Sequence, residues 1–267
     1  MSAIDAPMAQ TLTFKNKNQE AASVEKPSVK ELASFNPKTY VKLVKYLGQI
    51  YKVVPFGEIP KEDLPYLVLR HDIDVSLEPA LKMAEIEHEM GVKSTYFVWL
   101  SGEGYNLLEG RNVCIMKKIC TLGHEIGLHY DTYQYECYGR DDAEALKMEI
   151  DILENLLGRK ITAISCHAFR GNPNSFLQIR GYANADDPRL RDVYVHDSRR
   201  LWSIKSLFIL LNNHPRRVQL LIHPCHWEGK THIKTKLDDL LESLLILLYK
   251  LREIPIRLIH SKEKCDT

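Results

Sequence analysis

Short apolar runs alternate with amphipathic stretches along most of this chain, and that alternation restricts its fold more than any other feature. Residues 67–71, 94–100, 125–129, 161–166, 193–195, 218–222 and 256–259 read as strands, short and rich in aliphatic, β-branched or aromatic side chains. Helical spacing fills the gaps. Ser76 caps a helix that carries Leu77, Leu81 and Ala84 and stops at Gly91. Residues 112–121 form another, ending before Gly123. Residues 142–157 carry Ala145, Met148, Ile152 and Leu156 on one face, with Gly158 as the stop, and 203–213 and 238–251 complete the set. Strands separated by helices predict a parallel sheet with covering helices. An open doubly wound sheet and a closed barrel both satisfy the pattern. A dinucleotide-binding unit does not, because no GxGxxG follows the first strand.

The chain has 267 residues, enough for one large domain. Residues 1–35 are polar and aperiodic and are expected to form a flexible arm. The domain, 36–267, is expected to open where Asn36 caps a helix with Pro37 in its first position and Tyr40, Leu43, Val44 and Leu47 follow. Lysine and arginine total 36 against 35 acids, for a net charge of +1, which lacks the basic excess of a nucleic-acid binder. The pairs Arg199-Arg200 and Arg216-Arg217 read as solvated surface. The oiliest stretch, 240–251, is broken by Glu242, Ser243 and Lys250 and falls short of the ~20 apolar residues that cross a bilayer. The first residues show no basic segment followed by an apolar one, and the six cysteines contain no CxxC, so reduced thiols in a cytoplasmic protein are expected.

Chemistry concentrates where the apolar runs end. LVLRH runs into Asp72-Ile73-Asp74, EIGL into His129, ITAISC into His167, VYVH into Asp197 and LLI into His223. In α/β barrels the carboxyl ends of the strands converge on one site, and each such group left alone in a core is costly. Asp72 and Asp74 lie two apart on an extended chain, so both face one side, with His71 and Ile73 turned away. Two carboxylates that close stay ionised only beside a cation. A divalent ion held by Asp74 and His129 would resolve the repulsion and leave Asp72 free as a base.

These residues resemble a known family. HDIDVSLEPALKMAEIEHEMGVKSTYF, GHEIGLHYDTY and LLIHPCHW are similar to motifs of the polysaccharide deacetylases, the NodB-like carbohydrate esterases, with matches from about Leu67 to Trp227. The resemblance implies a distorted (β/α)7 barrel. It implies Asp72 as catalytic base, Asp74 and His129 as metal ligands, Arg170 as the residue positioning the base, Asp197 and Trp202 in the fourth motif, and His223 as general acid. The family's second ligand histidine falls at Tyr133 here. His167, ending the next strand, is the preferred substitute, and His124, on the opposite face of its strand, the second choice. His226 is a further candidate pocket residue.

The implied reaction is hydrolysis of an N-acyl group, acetyl or formyl, from an amino sugar, with one divalent ion, zinc, as cofactor. Tyr130, Tyr133, Trp202 and Trp227 are the candidates for stacking on sugar faces. The resemblance further suggests a substrate on a nucleotide or lipid carrier in cytosolic surface-polysaccharide (lipopolysaccharide, O-antigen) biosynthesis. Two other readings stay open. One is a non-catalytic barrel that binds a glycan or partner protein, which Tyr133 favours. The other is a metal hydrolase or transferase acting on a non-sugar amide.

Overall fold

The computed structural model describes residues 24–61, 64–168 and 177–228. The helix and strand expected at 238–251 and 256–259, and Arg170, lie outside the described residues. Eight strands are present among them: β1 (Lys52–Val54), β2 (Tyr66–Ile73), β3 (Thr95–Trp99), β4 (Glu125–Asp131), β5 (Ala163–Ala168), β6 (Ala183–Asn184), β7 (Val193–His196) and β8 (Arg217–Ile222). The helices are α1 (Val29–Leu32), α2 (Pro37–Gly48), α3 (Leu77–Glu89), α4 (Gly110–Thr121), α5 (Thr132–Tyr135), α6 (Asp142–Leu157) and α7 (Ile204–Asn213). β1 and β6 were not expected; three and two residues are too few for any periodicity to register.

The strands form one sheet in the order β6-β5-β4-β3-β2-β8-β7, with β1 also pairing β2, and all the pairings are parallel. The sheet is curled. In a flat sheet β6 and β8 would lie five strand spacings apart, about 24 Å. Yet the Arg191 guanidinium donates from one nitrogen to the Ala185 carbonyl beside β6, at 2.6 Å, and to Gln219 Oε1 on β8, at 2.9 Å. Of the two architectures the pattern allowed, the barrel-like one is present: a half-barrel with helices outside and a lumen inside.

β2 is buried along its whole length, as a strand covered on both faces must be. Its two faces carry different chemistry. Leu67, Leu69 and Ile73 point outward into the helix-packed cores, whereas Tyr66 and Val68 join Phe97, Ala163 and Ala185 in a lumenal cluster. Gly127 of β4 is a glycine for lack of space, since a Cβ there would lie 2.5 Å from the Phe97 ring. Helix α6 begins with Asp141 accepting the Glu144 N–H at 2.9 Å and ends at Gly158 with φ 69°. Its buried face is Ala145, Leu146, Ile150 and Leu153, rotated from the one expected, and Ile152 is exposed. The true face includes two glutamates, Glu149 and Glu154, which obscure the stripe in the sequence. Each has a partner: the Tyr135 hydroxyl donates to Glu149, and the Ile161 N–H to Glu154.

One feature corrects the expectations and another accounts for them. The folded region starts before Asn36. Leu32 is 0% exposed, Phe35 packs against Trp202 and Trp227, and the Trp202 indole N–H donates to the Leu32 carbonyl at 3.2 Å. Residues 24–35 are therefore part of the fold. Outside the barrel a wholly buried carboxylate, Glu87, accepts hydrogen bonds from Tyr40, from His71 Nε2 (2.6 Å), from Ser94 (2.6 Å) and from Tyr96 (2.9 Å). This network ties α2, α3, β2 and β3 together and accounts for the outward turn of His71. None of the five cysteines among the described residues is in a disulfide, and no described helix is long and apolar enough to cross a membrane.

Leu32→Ala should lower the unfolding free energy by about 2–5 kcal/mol, as for other buried leucines. Urea denaturation checks this; a change within about 0.5 kcal/mol, the size of a surface effect, would mean that the segment does not pack.

Candidate active site

Alternation along parallel strands delivers the site. On β2 the lumenal residues continue from Tyr66 and Val68 to Arg70 and Asp72, and Asp74 follows just beyond the strand. β4 presents His129. The pairing of β4 with β5 runs His129 with Ser165, Tyr130 with Cys166 and then Asp131 with Ala168, so His167 is an extra residue in a bulge. Bulges re-aim side chains, and this one sits at the mouth of the lumen.

Asp74, His129 and His167 each offer a ligand atom, and all three atoms lie within 4.8 Å of one another. His129 Nε2 is 3.5 Å from Asp74 Oδ1 and 3.2 Å from His167 Nδ1, and His167 Nδ1 is 3.7 Å from the same Asp74 oxygen. Bonds of ~2.0–2.1 Å in a tetrahedron require donors about 3.3–3.4 Å apart, so the spacing fits one ion. Asp74 Oδ1 is buried without a hydrogen-bond partner among the described residues, as an oxygen reserved for a cation would be. His129 Nδ1 donates to the Ser165 carbonyl at 3.1 Å, which leaves the Nε2 lone pair for the ion. The residues present fit a divalent metal.

Charge balance confirms a crowded anionic pocket. Burial would raise the Asp74 pKa, but the imidazoles of His129 and His167 hold it well below the usual carboxylate range. Burial would depress His129, but Asp72 and Asp74 raise it. Asp72 faces the same lumen, with Oδ2 3.6 Å from His129 Nε2. Its countercharge is Arg70, two residues earlier on the same strand: Nε donates to Oδ1 and Nη2 to Oδ2, both at 2.8 Å. That bidentate clamp lowers the Asp72 pKa against the burial that would raise it. Arg70 also donates to Ser165 and lies over the Phe97 ring at 5.3 Å. Arg70 escaped the sequence reading because it sits inside an apolar run. The signal was there, since an arginine at i−2 shares the face of Asp72.

The second half of the site is a histidine–aspartate pair. Asp197 is fully buried and accepts three donors. His223 Nδ1 lies 2.6 Å from Oδ1, the His223 backbone N–H donates at 3.0 Å, and the Trp227 indole N–H donates to Oδ2 at 2.8 Å. Burial would raise the Asp197 pKa, but these imidazole contacts bring it to about 2, and Asp197 in turn lifts His223 to about 9 despite burial. Nδ1 being committed, Nε2 faces Asp74 Oδ2 at 3.6 Å. His226 Nδ1 lies 3.6 Å from the same Asp197 and its ring is 5.1 Å from that of His223. Asp197, His223 and His226 form a second cluster of metal-ligand type, but the Asp197 oxygens are already occupied by N–H donors, as in a proton relay.

The remaining candidates separate by face. Tyr130 is turned outward and buried in the helix-packed core, adjacent to His129 on the strand and therefore on the opposite side, so it is not a stacking platform. Trp202 and Trp227 are buried as well, the latter at 2% exposure; they hold Leu32 and Asp197 rather than a ligand. Tyr133 is 54% exposed on α5, outside the three-ligand group. His124 is buried beside Glu87 and bonds the Ala84 carbonyl, which removes it as an alternative ligand.

No family profile and no curated protein matches the sequence. Among solved structures the chain is similar to a family 4 carbohydrate esterase from Bacillus anthracis, at 17% identity over 77% of this chain and 83% of that one, TM-score 0.39. It is similar to the chitin deacetylase of the fungal pathogen Colletotrichum lindemuthianum, at 16% identity over 71% and 86%, TM-score 0.40. It is also similar to a CE4 family pseudoenzyme from Bacillus anthracis, at 14% identity over 72% and 62%, TM-score 0.41. The chain thus spans less than two thirds of the pseudoenzyme's length. The chemistry of the site rests on its own geometry.

Arg70→Met should cost about 3–5 kcal/mol of unfolding free energy, because it strands a buried carboxylate. Pairing it with Asp72→Leu should recover most of that loss in urea titrations. Equal instability of the single and double variants would show that the clamp is not what Arg70 contributes.

Proposed function

We propose that this protein is a metal-dependent hydrolase that removes an N-acyl group, acetyl or formyl, from an amino sugar. The observation that carries the reading is the meeting of the Asp74, His129 and His167 donor atoms within 4.8 Å, between a clamped carboxylate and an imidazole held by a buried aspartate. Asp74, His129 and His167 would hold the ion. A bound divalent ion, zinc in this reading, acidifies water and polarises an acyl carbonyl.

The chain's own groups divide the proton work. Asp72, held ionised by Arg70, accepts a proton from the water that attacks the amide carbon. Its base strength is reduced by the same clamp, so the water must be acidified for the transfer to be favourable. His223 carries its proton on Nε2, with Nδ1 fixed to Asp197. As the C–N bond breaks, that proton goes to the leaving nitrogen, giving an amine and a carboxylic acid. Asp197 keeps the imidazole in the correct tautomer, and Trp227 keeps Asp197 in place.

The finer part of the reading is the substrate: an amino sugar on a nucleotide or lipid carrier in cytosolic surface-polysaccharide assembly. It is supported by the resemblance of HDID, GHEIGLH and LLIH to polysaccharide deacetylase motifs. Tyr133, exposed near the mouth, is the aromatic among those expected that is left for a sugar face.

Purified protein should bind close to one zinc or cobalt ion by calorimetry, and Asp74→Ala or His129→Ala should abolish binding. Asp72→Asn should keep the ion and lose turnover of an N-acetylated amino-sugar substrate by ~10²-fold or more, the scale of general base catalysis. A protein that takes up no ion under metal supplementation would instead be a non-catalytic barrel.

In the active protein the alkaline fall of kcat/KM should report the His223 proton. Asp197 raises that pKa, so Asp197→Asn should move the limb to lower pH. An unmoved limb would assign the acid to another group.

A further inference from the structure

We propose that Trp99 is a positioning residue that makes His167 a metal ligand and so compensates for the tyrosine at position 133. This rests on the metal-centre reading above and deepens it.

His167 is the least anchored member of the trio. Its side chain is 31% exposed, against 2% for His129 and 25% for Asp74. His129 has its second ring nitrogen fixed by the Ser165 carbonyl. No hydrogen bond fixes Nε2 of His167 among the described residues, although ligating histidines ordinarily use that nitrogen to hold their ring orientation. The bulge that turns His167 inward also removes it from the β4–β5 pairing. What the ring does have is Trp99, stacked on it with centroids 4.0 Å apart and planes 26° from parallel. The same indole meets His129 edge-on at 6.3 Å and 71°.

Trp99 is itself held at its backbone and along its ring by groups other than His167. Its backbone N–H donates to the Tyr105 hydroxyl at 2.8 Å, and that hydroxyl donates to the Ile73 carbonyl, also at 2.8 Å. Ile73 lies between Asp72 and Asp74, so Tyr105 ties the end of β3 to the backbone that carries both carboxylates. On the indole, His167 occupies one face and the backbone at Gly102 closes on the ring. A Cβ at Gly102 would lie 2.7 Å from the nearest ring atom, which explains the glycine. The backbone that carries the indole is thus referenced to the β2 strand end, and the ring is confined between His167 and Gly102. Stacking on it fixes the plane of the His167 ring, which leaves Nδ1 aimed at Asp74 Oδ1 and His129 Nε2.

The test is a cobalt-binding cycle on the full chain. Wild type, Trp99→Leu, His167→Ala and the double variant are titrated with Co²⁺, reading both Kd and the visible absorption of the bound ion. Loss of a supporting residue around a metal site typically weakens binding about 10–100-fold, and that is the expected effect of Trp99→Leu. Its cobalt bands should weaken as a nitrogen ligand is lost. Trp99→Phe, which keeps an aromatic face, should restore both. In the His167→Ala background Trp99→Leu should have no further effect. A merely structural tryptophan would give the same fold-loss in both backgrounds, and that result, or unchanged Kd and absorption in Trp99→Leu, overturns the proposal. Trp99→Met fills the space without a ring and replaces Trp99→Leu should the latter not fold. Wild type that binds no cobalt, or binds it equally well with Asp74→Ala, overturns the metal centre itself.

Discussion

Everything in the lumen depends on how two carboxylates, two residues apart on one strand, are kept ionised out of water. Mutual repulsion and burial both favour the neutral acid, and the structure opposes them with different means. Asp72 receives the guanidinium of the residue two earlier in bidentate contact, so that both of its oxygens are paired. Among the described residues Asp74 receives only imidazoles, at 3.5–3.7 Å, and one of its oxygens is buried without a hydrogen bond. The two aspartates are therefore inequivalent by construction. One has both oxygens paired by the protein, which suits the proton-transfer role proposed for it; the other keeps an oxygen that suits the proposed cation. That asymmetry supports the proposed division into base and ligand independently of any resemblance.

The same strand separates structure from chemistry by alternation. On its outer face His71 is spent on Glu87, in a closed network with Tyr40, Ser94 and Tyr96. On its inner face Arg70, Asp72 and Asp74 serve the lumen. β4 repeats the division, with His129 inside and Tyr130 in the outer core. A one-residue slip in either strand would exchange the two sets. The register of β2 against β3 and β8, from Tyr66 to Ile73, is thus as much a determinant of the site as the identity of its residues.

Much of this was legible in the sequence because it depends on period-two alternation and on where apolar runs end. Asp72, Asp74, His129, His167 and His223 could be placed at strand ends from spacing, their meeting at one mouth came with the barrel that the resemblance implied, and the helix starts at Asn36 and Ser76 were readable from caps. What was missed shares a physical cause: a polar group hidden by its partner. Arg70 reads as an interruption of a strand until its carboxylate is seen, and Glu149 blurs the stripe of α6 until Tyr135 is seen. The aromatics failed for the converse reason. Tyr130, Trp202 and Trp227 were expected to line a pocket from the reaction the resemblance implied, but each packs its ring in a core, and both indole N–H groups find acceptors there. Local sequence does not distinguish an aromatic that faces a ligand from one that props up a buried aspartate.

In the proposed metal centre the third ligand comes from β5 and not from the segment after β4, which changes what the site depends on. Two ligands four residues apart on one segment are set by local backbone geometry. Ligands on adjacent strands are set by register, and here the register breaks at the ligand itself, between the pairs Tyr130–Cys166 and Asp131–Ala168. An unpaired residue in a bulge gains freedom to aim but loses the ladder that would hold its aim. Rigidity must then come from outside the strand pair. The indole of Trp99 on the far side of β4, tied through Tyr105 to the β2 backbone, is placed to provide it. The neighbouring strand β3, which contributes no ligand, thereby becomes part of the reference frame of the site.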